Sequence, residues 1–172
     1  MLGLDEYFDG TLWHLKARLL VAERLWLTTT RLVAIRTSEK VLSNTWWPIA
    51  TDDGGTLDKI LALWFNSSLG LLSLIASRVD TRGAWIDLKK PILEELAVID
   101  PSNLSNDAHQ KFINAYDGLS KVEIQALPQI AEDVVRSRID AAVADALGLK
   151  DDLSMLRKLL GAEPIIAMSV PA

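Results

Sequence analysis

Apolar and polar positions change period twice along this chain. Trp13, Leu15, Ala17, Leu19 and Val21 alternate with His14, Lys16 and Arg18, the period of a half-buried strand. Residues 25–36 are rich in Thr, Val and Ile and read as extended. Residues 37–40 have loop composition, and 41–49 read as a third strand running through Pro48. Asp52-Asp53-Gly54-Gly55 is a turn signal, Thr56 a helix cap, and Asp58 suits the positive end of the helix that follows. That helix is predicted to run unbroken to about Arg78, through the charge-free stretch 60–77 and with Trp64 in the core. Residues 85–89 alternate again as a strand.

After Pro101 the period is helical throughout. Asn103 or Ser105 is placed to cap a helix carrying Phe112, Ile113 and Tyr116. A second helix is predicted to start at Pro128, to bury Val135, Ile139, Ala142, Val143 and Ala146, and to stop at Gly148. A short helix over 152–160 closes against it, and the last residues read as a loose tail. The predicted fold class is α+β: a small antiparallel β-meander packed on a long buried helix, followed by a C-terminal helical hairpin. The predicted division is an α+β unit over 1–100, a helical region over 101–165 packed on it, and a loose tail over 166–172.

An apolar content of 49% with 24% charged residues is that of a globular chain. The absence of cysteine excludes disulfides and thiolate metal sites. No secretory signal pattern opens the chain, so a cytoplasmic location is expected. The 60–77 stretch is long enough to span a membrane, but Asn66, Gly70, Ser73 and Ser77 form one small polar stripe along it. A buried helix and no membrane partner are therefore expected. The formal net charge is −5, but it is uneven: residues 14–90 carry 11 Lys/Arg against 7 Asp/Glu, and residues after 90 carry 7 against 13. Local potential governs phosphate binding, because salt screens charges beyond roughly 8–10 Å. A modestly basic half is compatible with nucleic acid.

The usual signatures of catalysis are missing. There is no glycine-rich phosphate loop, no G-x-G-x-x-G and no G-x-S-x-G elbow. His14 and His109 lie far apart and read as surface residues. The acidic pairs Asp52-Asp53, Glu94-Glu95, Glu132-Asp133 and Asp151-Asp152 read as turn, cap and solvation features, because adjacent side chains diverge. No catalytic residue, metal site or cofactor is expected.

Three blocks carry a family likeness: Leu61-Ala62-Leu63-Trp64-Phe65-Asn66-Ser67; Trp85-Ile86-Asp87-Leu88-Lys89-Lys90-Pro91-Ile92-Leu93 with Leu96-Ala97-Val98; and Ile139-Asp140-Ala141-Ala142-Val143 with Gly148-Leu149. They resemble the C-terminal target-recognition region of bacterial adenine-specific DNA methyltransferases, type IIG restriction–modification proteins and type I specificity subunits. Those enzymes bind S-adenosylmethionine at a glycine-bearing turn and act through an Asn-Pro-Pro-aromatic motif. Neither occurs here. The resemblance thus implies a non-catalytic module that binds duplex DNA. Methyl transfer would then belong to a catalytic domain in the same parent chain or in a separate subunit.

On that reading Arg31, Arg36, Arg78, Arg82, Lys89 and Lys90 neutralise phosphates or reach base edges, with Trp85 on the strand between them. Adjacent Trp46 and Trp47 face opposite ways if extended, leaving one free for docking a catalytic domain or stacking on a base. The rival expectation is a protein-interaction module that docks a partner subunit without touching nucleic acid.

Overall fold

A computed structural model describes residues 16–51, 55–77 and 85–167. The chain is α+β. Strands β1 (Ala17–Ala22), β2 (Arg24–Trp26), β3 (Ala34–Val41) and β4 (Trp46–Ile49) precede helices α1 (Thr56–Asn66) and α2 (Ser68–Ala76). Strand β5 (Trp85–Asp87) and a short helix α3 (Lys90–Glu95) follow. The C-terminal part holds α4 (Asn106–Leu119), α5 (Val134–Ala146), α6 (Ser154–Ala162) and α7 (Pro164–Ala167).

The sheet is antiparallel but not a sequential meander. Strand β1 lies in the middle, with β3 on one edge and β4 on the other, while β2 leaves to pair with β5. A central strand is covered on both faces, which is why Leu19, Leu20, Val21 and Ala22 are all buried rather than alternating. The extended segment expected over 25–36 is interrupted after β2. Thr29 and Thr30 both donate backbone N–H to the Trp26 carbonyl, and the Thr30 hydroxyl bonds it too, turning the chain toward β3. Residues 37–40, expected as loop, belong to β3; Thr37 is half-buried, and Ser38, Glu39 and Lys40 face solvent at its exposed end.

The long apolar helix is two helices. α1 and α2 meet at 70°, broken at Ser67, whose backbone is extended. Among the described residues no single helix is long and apolar enough to cross a membrane. Trp64 is half-buried, on the margin of both apolar clusters. One cluster joins the sheet to α2 and recruits Leu127, Ile130, Leu160 and Ile166; the other joins α1 to α4 and α5 through Ile60, Leu63, Phe112, Ile139 and Val143.

The α4–α5 hairpin is as expected, with two shifted boundaries. Ser105 caps α4, accepting the Ala108 N–H at 3.2 Å. Pro128 sits in an isolated 3-10 turn, and α5 starts later because Asp133 caps it, accepting from Val135 and Arg136. Gly148 ends α5 with φ 66°. The tail is ordered further than expected: α7 buries Ile166 completely. The Asp52–Gly54 part of the predicted turn, Arg78 and Arg82 lie outside the described residues.

Candidate nucleic-acid interface

Strands β2 and β5 form a two-stranded ribbon with register Arg24↔Asp87, Leu25↔Ile86 and Trp26↔Trp85. Side chains alternate across it. Leu25 and Ile86 point inward and are buried; Arg24, Trp26, Trp85 and Asp87 point outward. Leu88 continues the inward side and Lys89 the outward one. Backbone bonds fix the ribbon to the sheet: Leu88 N–H donates to the Glu23 carbonyl at 2.8 Å, and Trp47 Nε1 donates to the Leu88 carbonyl at 2.6 Å.

The outward face carries two indole rings, a cation and a carboxylate. The Trp26 and Trp85 rings pack edge to face, with centroids 4.5 Å apart and planes at 63°. Arg24 lies 5.9 Å from the Trp85 ring centroid and 4.0 Å from an Asp87 carboxylate oxygen. Its side chain is 62% exposed, and Trp26 is 44% exposed. Such an exposed pair holds a cation in place without removing it from water, and is worth little in stability.

The expected cations do not form one cluster. Lys90 stands in the groove beside the β4 edge and Trp85 lies against Trp26 of β2, whereas Arg31 and Arg36 line a cavity with β3 on the other side of β1. Arg31 pairs with exposed Glu123. Arg36 is 3.7 Å from the buried carboxylate of Asp58 and lies over Tyr116, which engages it in the fold. Lys90 is paired with Glu94, one helical turn on. Sequence reasoning missed Arg24 and Trp26. Their signal was the triplet exposed–buried–exposed at Arg24-Leu25-Trp26, too short to establish a period by itself.

Trp46 and Trp47 are both half-buried. Trp46 packs on the core, and Trp47 spends its indole N–H on Leu88. With Leu42, Pro48, Ile49 and Leu93 they wall a groove of about 1080 Å³ beside Lys90.

Beneath these surfaces lies a buried polar network. Asn66 Oδ1 accepts from Val33 N–H at 2.8 Å and Ala34 N–H at 3.3 Å, while its Nδ2 donates to the carbonyls of Ala34 and Ala62. Arg136 donates to the carbonyls of Asn66 and Arg31. Burial pulls the Arg136 guanidinium below its ordinary pKa, and the Asp133 and Asp140 carboxylates oppose that pull. Asp140 accepts from Ser68 N–H at 2.7 Å, Ser68 Oγ at 2.6 Å and Arg157 at 2.8 Å. The Nε atoms of Arg136 and Arg157 are buried without a hydrogen-bond partner, and the bonds that are made tie α1, α2, α5 and α6 into one framework. Among the described residues no group of three His, Asp or Glu side chains is arranged to hold a metal ion.

Comparisons with protein-family models, curated proteins and solved structures return no match to this chain.

Proposed function

We propose that the chain is a non-catalytic DNA-binding module, the target-recognition part of a restriction–modification adenine methyltransferase. Methyl transfer would be performed by a catalytic domain of the same parent chain or of a separate subunit. The observation that carries this reading is the ribbon: a two-stranded element whose outward face holds Arg24, Trp26, Trp85 and Asp87, with Lys89 just beyond the end of β5. A two-stranded ribbon fits the major groove, where cations meet phosphates and side-chain planes meet base edges. Family-like blocks also support it by cooperating in space. Asn66 of the first block accepts from Arg136 of α5, Ser68 just beyond that block donates to Asp140 of the third, and the second block supplies β5.

Duplex binding followed by fluorescence anisotropy tests the reading. If about three phosphates are neutralised, affinity falls roughly 40-fold between about 50 and 200 mM salt. The double variant Arg24→Glu/Lys89→Glu is expected to bind at least tenfold more weakly and to lower the salt slope by about two units, near 0.9 per lost contact. Wild-type affinity and slope in that variant would remove the ribbon from the interface.

A second reading, a module that docks a protein partner without nucleic acid contact, rests on the Trp46–Trp47 groove. An apolar interface of that kind is nearly indifferent to salt. The same titration therefore separates the two.

A further inference from the structure

At the end of the sheet opposite the ribbon, the start of β1, the ends of β3 and β4 and the first turn of α1 enclose a polar pocket of about 290 Å³. Among the described residues Lys16, Arg18 and Lys40 line it, against one carboxylate, Asp58. That carboxylate is already engaged. Thr51 Oγ1 donates to it at 2.7 Å, and Arg36 Nε stands 3.7 Å from its other oxygen.

Among the described residues, neither Arg18 nor Lys40 has an ion-pair partner. Arg18 Nε is buried and has no acceptor. Cations gathered in one concavity repel each other, and a half-buried guanidinium that lacks an acceptor loses hydration with nothing to offset it. Lys16 and Arg18 are on the same side of β1, and the register Ala17↔Val41 brings the end of β3, with Lys40, beside them. The positive end of the α1 dipole adds to the same potential.

We propose that this pocket binds a phosphate group. Resting on the DNA reading above, the group is a backbone phosphate of the bound duplex. It would be gripped roughly 17–20 Å from the ribbon, the length of β1 at about 3.3 Å per residue. Phosphate contacts set position on the helix while base contacts select the sequence.

The experiment has two arms, both on the full chain. In the first, inorganic phosphate is titrated calorimetrically at constant ionic strength against wild type, Arg18→Gln and Lys40→Gln. Phosphate is expected to bind wild type and to bind each variant at least tenfold more weakly. Lys40 is exposed, so Lys40→Gln reports on the pocket even if Arg18→Gln does not fold. In the second arm, anisotropy with duplex DNA is expected to show the salt slope falling by about 0.9 per removed cation, with the ribbon intact. Phosphate binding that survives in Lys40→Gln, or is absent from wild type, overturns the pocket whatever the ribbon does. Loss of phosphate binding with an unchanged DNA slope keeps the pocket but overturns its assignment to the duplex, leaving a free phosphate or a phosphorylated small molecule as occupant. A wild type that binds phosphate but no duplex sinks the DNA reading and the duplex as occupant, and leaves the phosphate pocket standing.

Discussion

Asp140→Ala is expected to unfold about 10 °C below wild type, a loss of about 3–5 kcal/mol, because it strands a buried cation. Asp140 is fully buried and holds three donors: Ser68 N–H, Ser68 Oγ and Arg157. Arg157 is only 5% exposed, and its remaining acceptor is the Asp152 carbonyl at 3.2 Å. Removing the carboxylate leaves a guanidinium out of water with one backbone oxygen, and a helix start at α2 with no acceptor for its first N–H. Urea denaturation of a double-mutant cycle measures this directly. Asp140→Leu combined with Arg157→Met should recover the part of the loss owed to the stranded guanidinium, while Ser68 N–H and hydroxyl stay without their acceptor. A cost below about 1 kcal/mol for Asp140→Ala would mean that solvent reaches Arg157 and that the network braces nothing.

Gly70→Ala is expected to cost at least about 4 kcal/mol, beyond the ordinary range for one methyl group. A Cβ at Gly70 would sit 2.1 Å from the Trp64 carbonyl oxygen, 2.9 Å from its carbon and 3.0 Å from Phe65 Cα. All three are backbone atoms and cannot rotate away. The Trp64 oxygen is further pinned by the N–H and hydroxyl of Ser67, at 3.0 and 2.7 Å. The only relief is to open the 70° bend, which pulls Leu71 and Leu74 out of the core. Gly118→Ala is the control: nothing lies within 4 Å of its Cβ position on α4. There the substitution should be neutral or stabilising by about 0.5–1 kcal/mol, from helix propensity. Thermal melts of the two variants side by side decide whether the close approach, rather than loss of glycine as such, matters.

These two positions also show where sequence reading stops. Ser105, Gly148 and the α4–α5 hairpin follow from local rules, because a cap, a left-handed stop and a 3.6-residue period are each written within a few residues. The break at Ser67 is only partly local. A run of 18 uncharged residues favours one continuous helix; the Ser67 hydroxyl caps the new start by accepting from Gly70 N–H, and a carboxylate 72 positions beyond Ser68 accepts the Ser68 N–H. Strand order was hidden for a similar reason. Alternation reports exposure of one face, and β1 loses that mark once helices and flanking strands cover it on all sides. Polar residues 37–40 read as loop because the exposed end of an edge strand has loop composition. At the candidate interface, Trp85 and Lys89 were legible from the alternation of 85–89. Their partners Arg24 and Trp26 were not, since a three-residue strand gives no period and only pairing with β5 reveals its outward face.

The apolar cluster beneath the sheet is completed by Leu160 and Ile166, and the α1–α2 corner is clamped by Arg157. A ribosome therefore delivers β1 to β4 more than a hundred residues before the last side chains that seal them. Until the final turns emerge, β1 has no finished floor, and a nascent or proteolytically shortened chain exposes Leu19, Val21 and Leu25 to water. Nicking between α5 and α6 should consequently abolish assembly of the distant ribbon as well, and with it any grip on a polyanion, although no residue near the cut touches that face.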